Sequence, residues 1–296
     1  MSEFLQQIIN GLSLGAIYAL IALGYTMVYG VLRFINFAHS DIFMVGAFVG
    51  YYLGQKLPHE SLATGTAVLL AAMAACAALG IVIEKIAYRP LRKRSTLTVL
   101  ITAIGVSLFL QNTGQRVFGA NPKSFPKIFP SHNFHPGQVV ISTDQLAVFA
   151  VTLILVVGLQ FIVLKTRMGT AMRAVAFNHQ AASLMGINND AVISFTFGLG
   201  SALAAAGGIL YAINYPSIEP LMGTLPGLKA FVAAVLGGIG NIPGAALGGI
   251  LLGLIETFVG GSSLSTYKDA IAFAILILIL LFRPAGLLGR PQVEKV

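Results

Sequence analysis

Charge is what this chain most lacks. Of its 296 residues only 9% are Asp, Glu, Lys or Arg, while 56% are hydrophobic and the mean hydropathy is +0.86. A water-soluble domain carries roughly 25% charged residues, so this sequence has too little polar surface to face water on all sides. There is one cysteine and no tryptophan. A single thiol excludes an internal disulfide, and Cys76 sits in an apolar run as a small packing residue. The phosphate-cradling pattern GxxxxGK[ST] is absent, which excludes a P-loop ATPase. The five histidines are scattered and recur at no ligand spacing, so no metal site is expected. No nucleophile–base pair stands out, and no catalytic residue is assigned. The N-terminal MSEFLQQIINGL has neither a basic n-region nor a small-residue cleavage site, so its apolar run is expected to be kept as a span.

What is present is a series of long apolar runs, near 5–32, 42–55, 62–83, 96–112, 146–164, 191–213, 227–259 and 269–282. A span needs about 20 mostly apolar residues. The runs are unbroken, without the alternation of a β-barrel. The expected fold is all-α: a polytopic integral membrane protein of about eight or nine transmembrane helices, some broken or re-entrant, forming one domain over 1–296. The run at 42–55 is short and follows a polar break, with Ser40 or Asp41 as candidate caps. The run at 227–259 is split by GGIGNIPGA, where Pro243 and the glycines argue for two helices meeting at a turn.

The net charge of +8 is concentrated in loops, as the positive-inside rule expects, and does not call for nucleic acid. Cations at 89–94, 165–173 and 283–295 place those segments, and the C-terminus, in the cytoplasm. The Pro-broken 113–145 then becomes an external loop, as does 214–226. Glycine pairs four residues apart, such as Gly11/Gly15 and Gly249/Gly253, allow close helix approach.

Two polar groups interrupt the apolar runs. Asn36, His39 and Asp41 cluster at the break after the first run, as helix-end partners or as pathway-lining groups. Glu256 lies within a run and must face protein, water or an opposite charge, with Lys229 near enough to be that charge. A hydrated place near the membrane interface is the plainer reading, and a proton relay the sharper one.

The segment 165–190 is the longest cytoplasmic excursion between adjacent runs. Asn178 is a natural N-cap and Gly186 a natural stop for a helix of about two turns, with Ala181, Ala182, Leu184 and Met185 as its apolar face, too short to be stable alone in water. Its residues Gln180-Ala181-Ala182-Ser183-Leu184-Met185-Gly186 resemble the EAA-xxx-G loop of bacterial ABC importer permeases, with Gln in place of Glu and without the downstream Ile-x-Leu-Pro. That resemblance implies a helix docking into a cleft of an ATPase subunit, with Gly169, Arg173, Gln180, Ala181, Ala182, Leu184, Met185 and Gly186 as coupling residues. Further stretches, GLSLGAIYALIALGYTMVYGVLRFINFAHSDIFMVGAFV, AAVLGGIGNIPGAALGGILLGLIE and GLLGRPQVEKV, are similar to branched-chain amino-acid permeases of the LivH type. The family implies an importer for Leu, Ile and Val in a bacterial inner membrane. This permease would work with a second related permease, two ATPase subunits and an extracytoplasmic solute-binding protein. ATP would be bound by the partners, and this chain would carry no cofactor and no enzymatic activity. Importers of urea, amides or another small polar solute share the same features, and an ion-coupled secondary transporter using Glu256 is a third reading.

Overall fold

The computed structural model describes residues 2–57, 60–92, 94–135 and 137–289. Lys93 of the cation cluster and the tail 290–296 therefore lie outside the described residues. Eleven α-helices carry the described chain: α1 Ser2–Leu32, α2 His39–Lys56, α3 Leu62–Ile83, α4 Thr96–Phe118, α5 Thr143–Lys165, α6 Arg167–Phe177, α7 His179–Leu184, α8 Asn189–Asn214, α9 Thr224–Gly237, α10 Ile242–Gly260 and α11 Lys268–Phe282. Seven helices, counting the short turns that extend α3 to Leu91 and start α11 at Ser265, are long and apolar enough to cross a membrane. The protein is a multi-pass membrane protein, and α2 and α9 are two further helices that fall below that mark.

Local chemistry explains most helix starts. Ser61, Ser95 and Thr166 each cap the helix that follows by accepting an N–H three residues on, and Ser142 forms a reciprocal capping box with Gln145. Asn178, Asn188 and Asn241 do the same for α7, α8 and α10. Neither Ser40 nor Asp41 caps α2, contrary to expectation. That helix starts at Ala38 with no side-chain cap, because Ser40 already lies inside the first turn, where its Oγ donates to the Phe37 carbonyl.

Two short antiparallel pairs mark one end of the bundle: β1 Lys123–Ser124 with β4 Ser217–Ile218, and β2 Asn133–Phe134 with β3 Ile141–Ser142. The first pair ties the 113–145 segment to the 214–226 segment, so both loops lie at this hairpin end. The N-terminus is there too, since Gln6 bonds the Val140 backbone. The opposite end carries α6, α7, Arg89, Arg92 and Arg94 and the cations at 165–173.

The long central helix α1 packs antiparallel to α10 and α8. A Cβ on Gly15 would come within 2.7 Å of the Ile250 Cα, so the small residues read as a packing signal are what let these backbones touch. Two helices begin inside the bundle. The first turn of α2 lies beside Gly24 of α1, about two turns short of that helix's end. The start of α9 lies against α2, with Gly223 on the Ser40 backbone. From this meeting point α2 runs to the hairpin end and α9 to the α7 end. These are the broken segments that the polar break and the split run suggested. The α9–α10 turn spans 238–241, with Gly238 and Gly240 at positive φ.

Candidate functional site

Two places concentrate unusual chemistry, one at the α7 end and one inside the hairpin end.

At the α7 end, α5 turns into α6 through Thr166. Gly169 is buried against the Ile162 and Val163 carbonyls, with no room for a side chain. The Arg173 guanidinium donates to the Val163 carbonyl and to Thr170 Oγ1 at 3.3 Å, which neutralises the negative end of α5. Asn178 Oδ1 accepts from the N–H groups of Gln180 and Ala181 at 2.9 and 3.0 Å, opening α7. The helix closes with Ile187 N–H on the Ala182 carbonyl and Gly186 N–H on the Ser183 carbonyl, with Gly186 at φ +81°. That is a Schellman stop, the geometry expected of a glycine at this position.

The faces of α7 differ from the expected apolar patch. Ala182 is buried and turns inward, under the Schellman turn. Gln180 and Ala181 are exposed. The apolar surface is made instead by Leu184 and Met185, 88% and 83% exposed, together with Phe177, 87% exposed. Phe177 was not singled out from sequence, since it closes α6 and falls outside the motif. Three large apolar side chains stand exposed at the two ends of α7, on a base fastened by caps.

The polar break resolves into separate hydrogen bonds. Asn36 Oδ1 accepts from the Tyr88 hydroxyl at 2.6 Å. The imidazole of His39 lies 3.2 Å from the Ile21 carbonyl and packs on the Tyr25 ring. Asp41 Oδ1 accepts from Gln111 Nε2 at 3.0 Å, while its Oδ2 is buried with no partner. All three residues are buried; His39 and Asp41 hold α2 to α1 and α4, and Asn36 ties the α1–α2 connection to the turn that follows α3. Close to the α7 end, Glu84 is fully buried and is bonded by Arg92, by Arg89 at 3.3 Å and by Ser194 Oγ at 2.5 Å. Arg92 also reaches Asp190 at 2.7 Å. Part of the cation cluster is thus structural, locking the end of α3 to the start of α8.

Glu256, on α10, is buried and does find Lys229: the Lys229 Nζ–Glu256 Oε1 distance is 2.5 Å. Two partners were not foreseen. Tyr18 of α1 donates to Glu256 Oε2 at 2.8 Å, and Asp269 of α11 lies 2.6 Å from Lys229 Nζ. The signal for Asp269 was its place at the very start of the last apolar run. Above this cluster a cavity of about 450 Å³ opens between α1, α5, α8 and α10, lined by polar groups including Asn10, Gln145 and Asn214. It shares Leu14, Tyr215, Glu256 and Lys268 with a smaller chamber of about 160 Å³ that reaches Tyr18, Lys229 and Asp269.

Residues 7–280 match the family described as branched-chain amino acid transport system / permease component. The chain is 46% identical to the high-affinity branched-chain amino acid transport system permease protein BraD of Pseudomonas aeruginosa, covering 99% of this chain and 98% of that one. It is 44% identical to the permease protein LivH of Escherichia coli, again over 99% and 98%. A probable LivH of Methanocaldococcus jannaschii is 29% identical over 91% of this chain and 88% of that protein. By the extent of these matches, the chain belongs to the branched-chain amino acid transport system permease-component family.

Proposed function

We propose that this chain is the permease subunit of an ATP-driven importer that carries Leu, Ile and Val across a bacterial inner membrane. It forms half of the path beside a second related permease. It receives solute from an extracytoplasmic binding protein and is driven by two ATPase subunits that bind the ATP. The chain holds no cofactor and catalyses no covalent step. The α7 end, with Lys165, Arg167 and Arg173, is cytoplasmic by the positive-inside rule, and the C-terminus lies on that side. The 165–190 segment is then the coupling loop and 113–145 an external loop.

The observation that carries this reading is the α7 turn. A helix this short is unstable alone, yet it is capped at both ends and presents Phe177, Leu184 and Met185 to solvent. Exposed apolar side chains on a rigid base suit a preformed groove on a partner. ATP-driven closure of the ATPase pair would move this turn and shift the helices between inward- and outward-open states.

Affinity purification tests it. The tagged chain is expected to bring an ABC-type ATPase with it from membranes, and Gly186→Pro or Ala182→Glu should lose that partner together with leucine uptake. Variants that keep the ATPase bound and uptake intact would refute the coupling role of α7.

A further inference from the structure

The chamber beneath the hairpin-end cavity contains an unusual charge set. Lys229 and Lys268 meet Glu256 and Asp269 in one space of about 160 Å³, well below the roughly 300 Å³ of drug-sized pockets. The two signs balance. A solute with net charge would leave one sign in excess inside an apolar bundle, where unpaired charge is costly. A solute carrying one positive and one negative group leaves the balance intact. Lys229 touches both Glu256 and Asp269, so it can release one acid and keep the other. Tyr18 and Tyr215 add hydroxyls, and Leu14, Leu225 and Pro226 add apolar wall.

A purely structural role explains this cluster poorly. Desolvation of a buried ion pair usually consumes most of its Coulomb gain, and apolar pairs of similar volume hold helices together at least as well. The cluster is also open to water through the larger cavity, and Asp269 is partly exposed at its rim.

We infer that this chamber is a binding site for one zwitterionic α-amino acid. Its ammonium sits against Asp269 and Glu256, its carboxylate against Lys268 and Lys229, and its aliphatic chain against Leu14, Leu225 and Pro226. The inference rests on the importer reading above and gives that importer a solute site within this chain.

The test uses Leu225→Cys in the intact complex in detergent. The native thiol, Cys76, is buried and stays silent. A soluble methanethiosulfonate should modify Cys at 225, and leucine should slow the reaction by about tenfold at roughly ten times its dissociation constant. 3-Methylbutylamine, which has only the ammonium, and 4-methylpentanoate, which has only the carboxylate, should protect poorly. Asp269→Asn, at the exposed rim, should abolish protection by leucine while leaving labelling without leucine unchanged. The site is overturned if Cys at 225 does not react, if leucine gives no protection, or if either analogue protects as well as leucine. Leucine uptake by the unmodified importer is measured alongside. Uptake without protection overturns this site alone, whereas absent uptake overturns the importer reading.

Discussion

Glu256 shows how single residues carry charge inside an apolar bundle. Its carboxylate is held by Lys229 and by the Tyr18 hydroxyl, and removing it leaves Lys229 with Asp269 only, at the half-open rim. Breaking a buried pair from one side costs about 3–5 kcal/mol, whereas replacing both members by apolar residues is close to neutral. Glu256→Ala should therefore lower thermal stability in detergent by about that amount, and Lys229→Met combined with Glu256→Met should recover most of it. A double variant as unstable as the single one would show that the two charges are held independently. Glu256 and Lys229 were legible as a possible pair because each stands out against apolar neighbours. Tyr18 was not, since a tyrosine in an apolar run carries no local sign of what its hydroxyl will meet 238 positions away. Asp41 was legible as a polar group at a break, and its contact with Gln111 was not, for the same reason.

At the scale of elements, α7 was the most legible part of the chain. Its start and stop are written in residue types with local geometric roles: an asparagine that accepts first-turn N–H groups, and a glycine that adopts φ +81°. Its orientation was not legible, because six helical residues are too few for a periodic pattern, so Ala182 falls with Ala181, Leu184 and Met185 in the sequence although it is buried in the fold. The start of α2 was misread for a different reason. Ser40 and Asp41 are good capping types, but the chain enters that helix at Ala38, and tertiary contacts with α1 and α9 decided the boundary. For α7 the consequence is testable. Nothing lies within 4 Å of a Cβ built at Gly186, so a substitution there meets no clash and costs only the left-handed backbone, about 1–2 kcal/mol for most L-residues and less for Asn. Gly186→Ala should reduce ATP-dependent leucine uptake several-fold with protein levels unchanged, and Gly186→Asn should stay near the parent. Equal loss in both would show that the position matters through direct contact with a partner rather than through the turn.

For the whole molecule, the pass order follows from the contacts between ends. The N-terminus, the β1–β4 and β2–β3 pairs, the end of α10 and the start of α11 gather at one end, since Gln6 meets Val140 and Gly261 abuts Gln7. The end of α3, the α6–α7 turn, the start of α8 and residues 287–288, which bond back to Leu236 and Gly237, gather at the other. This two-sided arrangement was legible because the distribution of cations is a property of whole loops and tolerates errors in helix boundaries. The partial depth of α2 and α9 was only hinted at by short or split runs, since depth depends on packing against α1 and α8. Cations are denser at the α7 end, with Arg89, Arg92, Arg94, Lys165, Arg167 and Arg173, while at the hairpin end Lys56, Arg116, Lys123, Lys127 and Lys268 stand among Glu3, Glu60, Asp144 and Glu219. Cytoplasmic segments are the cation-rich ones. With Cys76 buried, Ser183→Cys and Ser262→Cys each give one exposed thiol, at the α7 end and the hairpin end respectively. In intact spheroplasts a membrane-impermeant maleimide should label Cys at 262 and spare Cys at 183, and inside-out vesicles should reverse the pattern. Labelling of both from one side would contradict a bundle whose two ends face different compartments, and the reverse pattern would place α7 out of reach of any cytoplasmic ATPase.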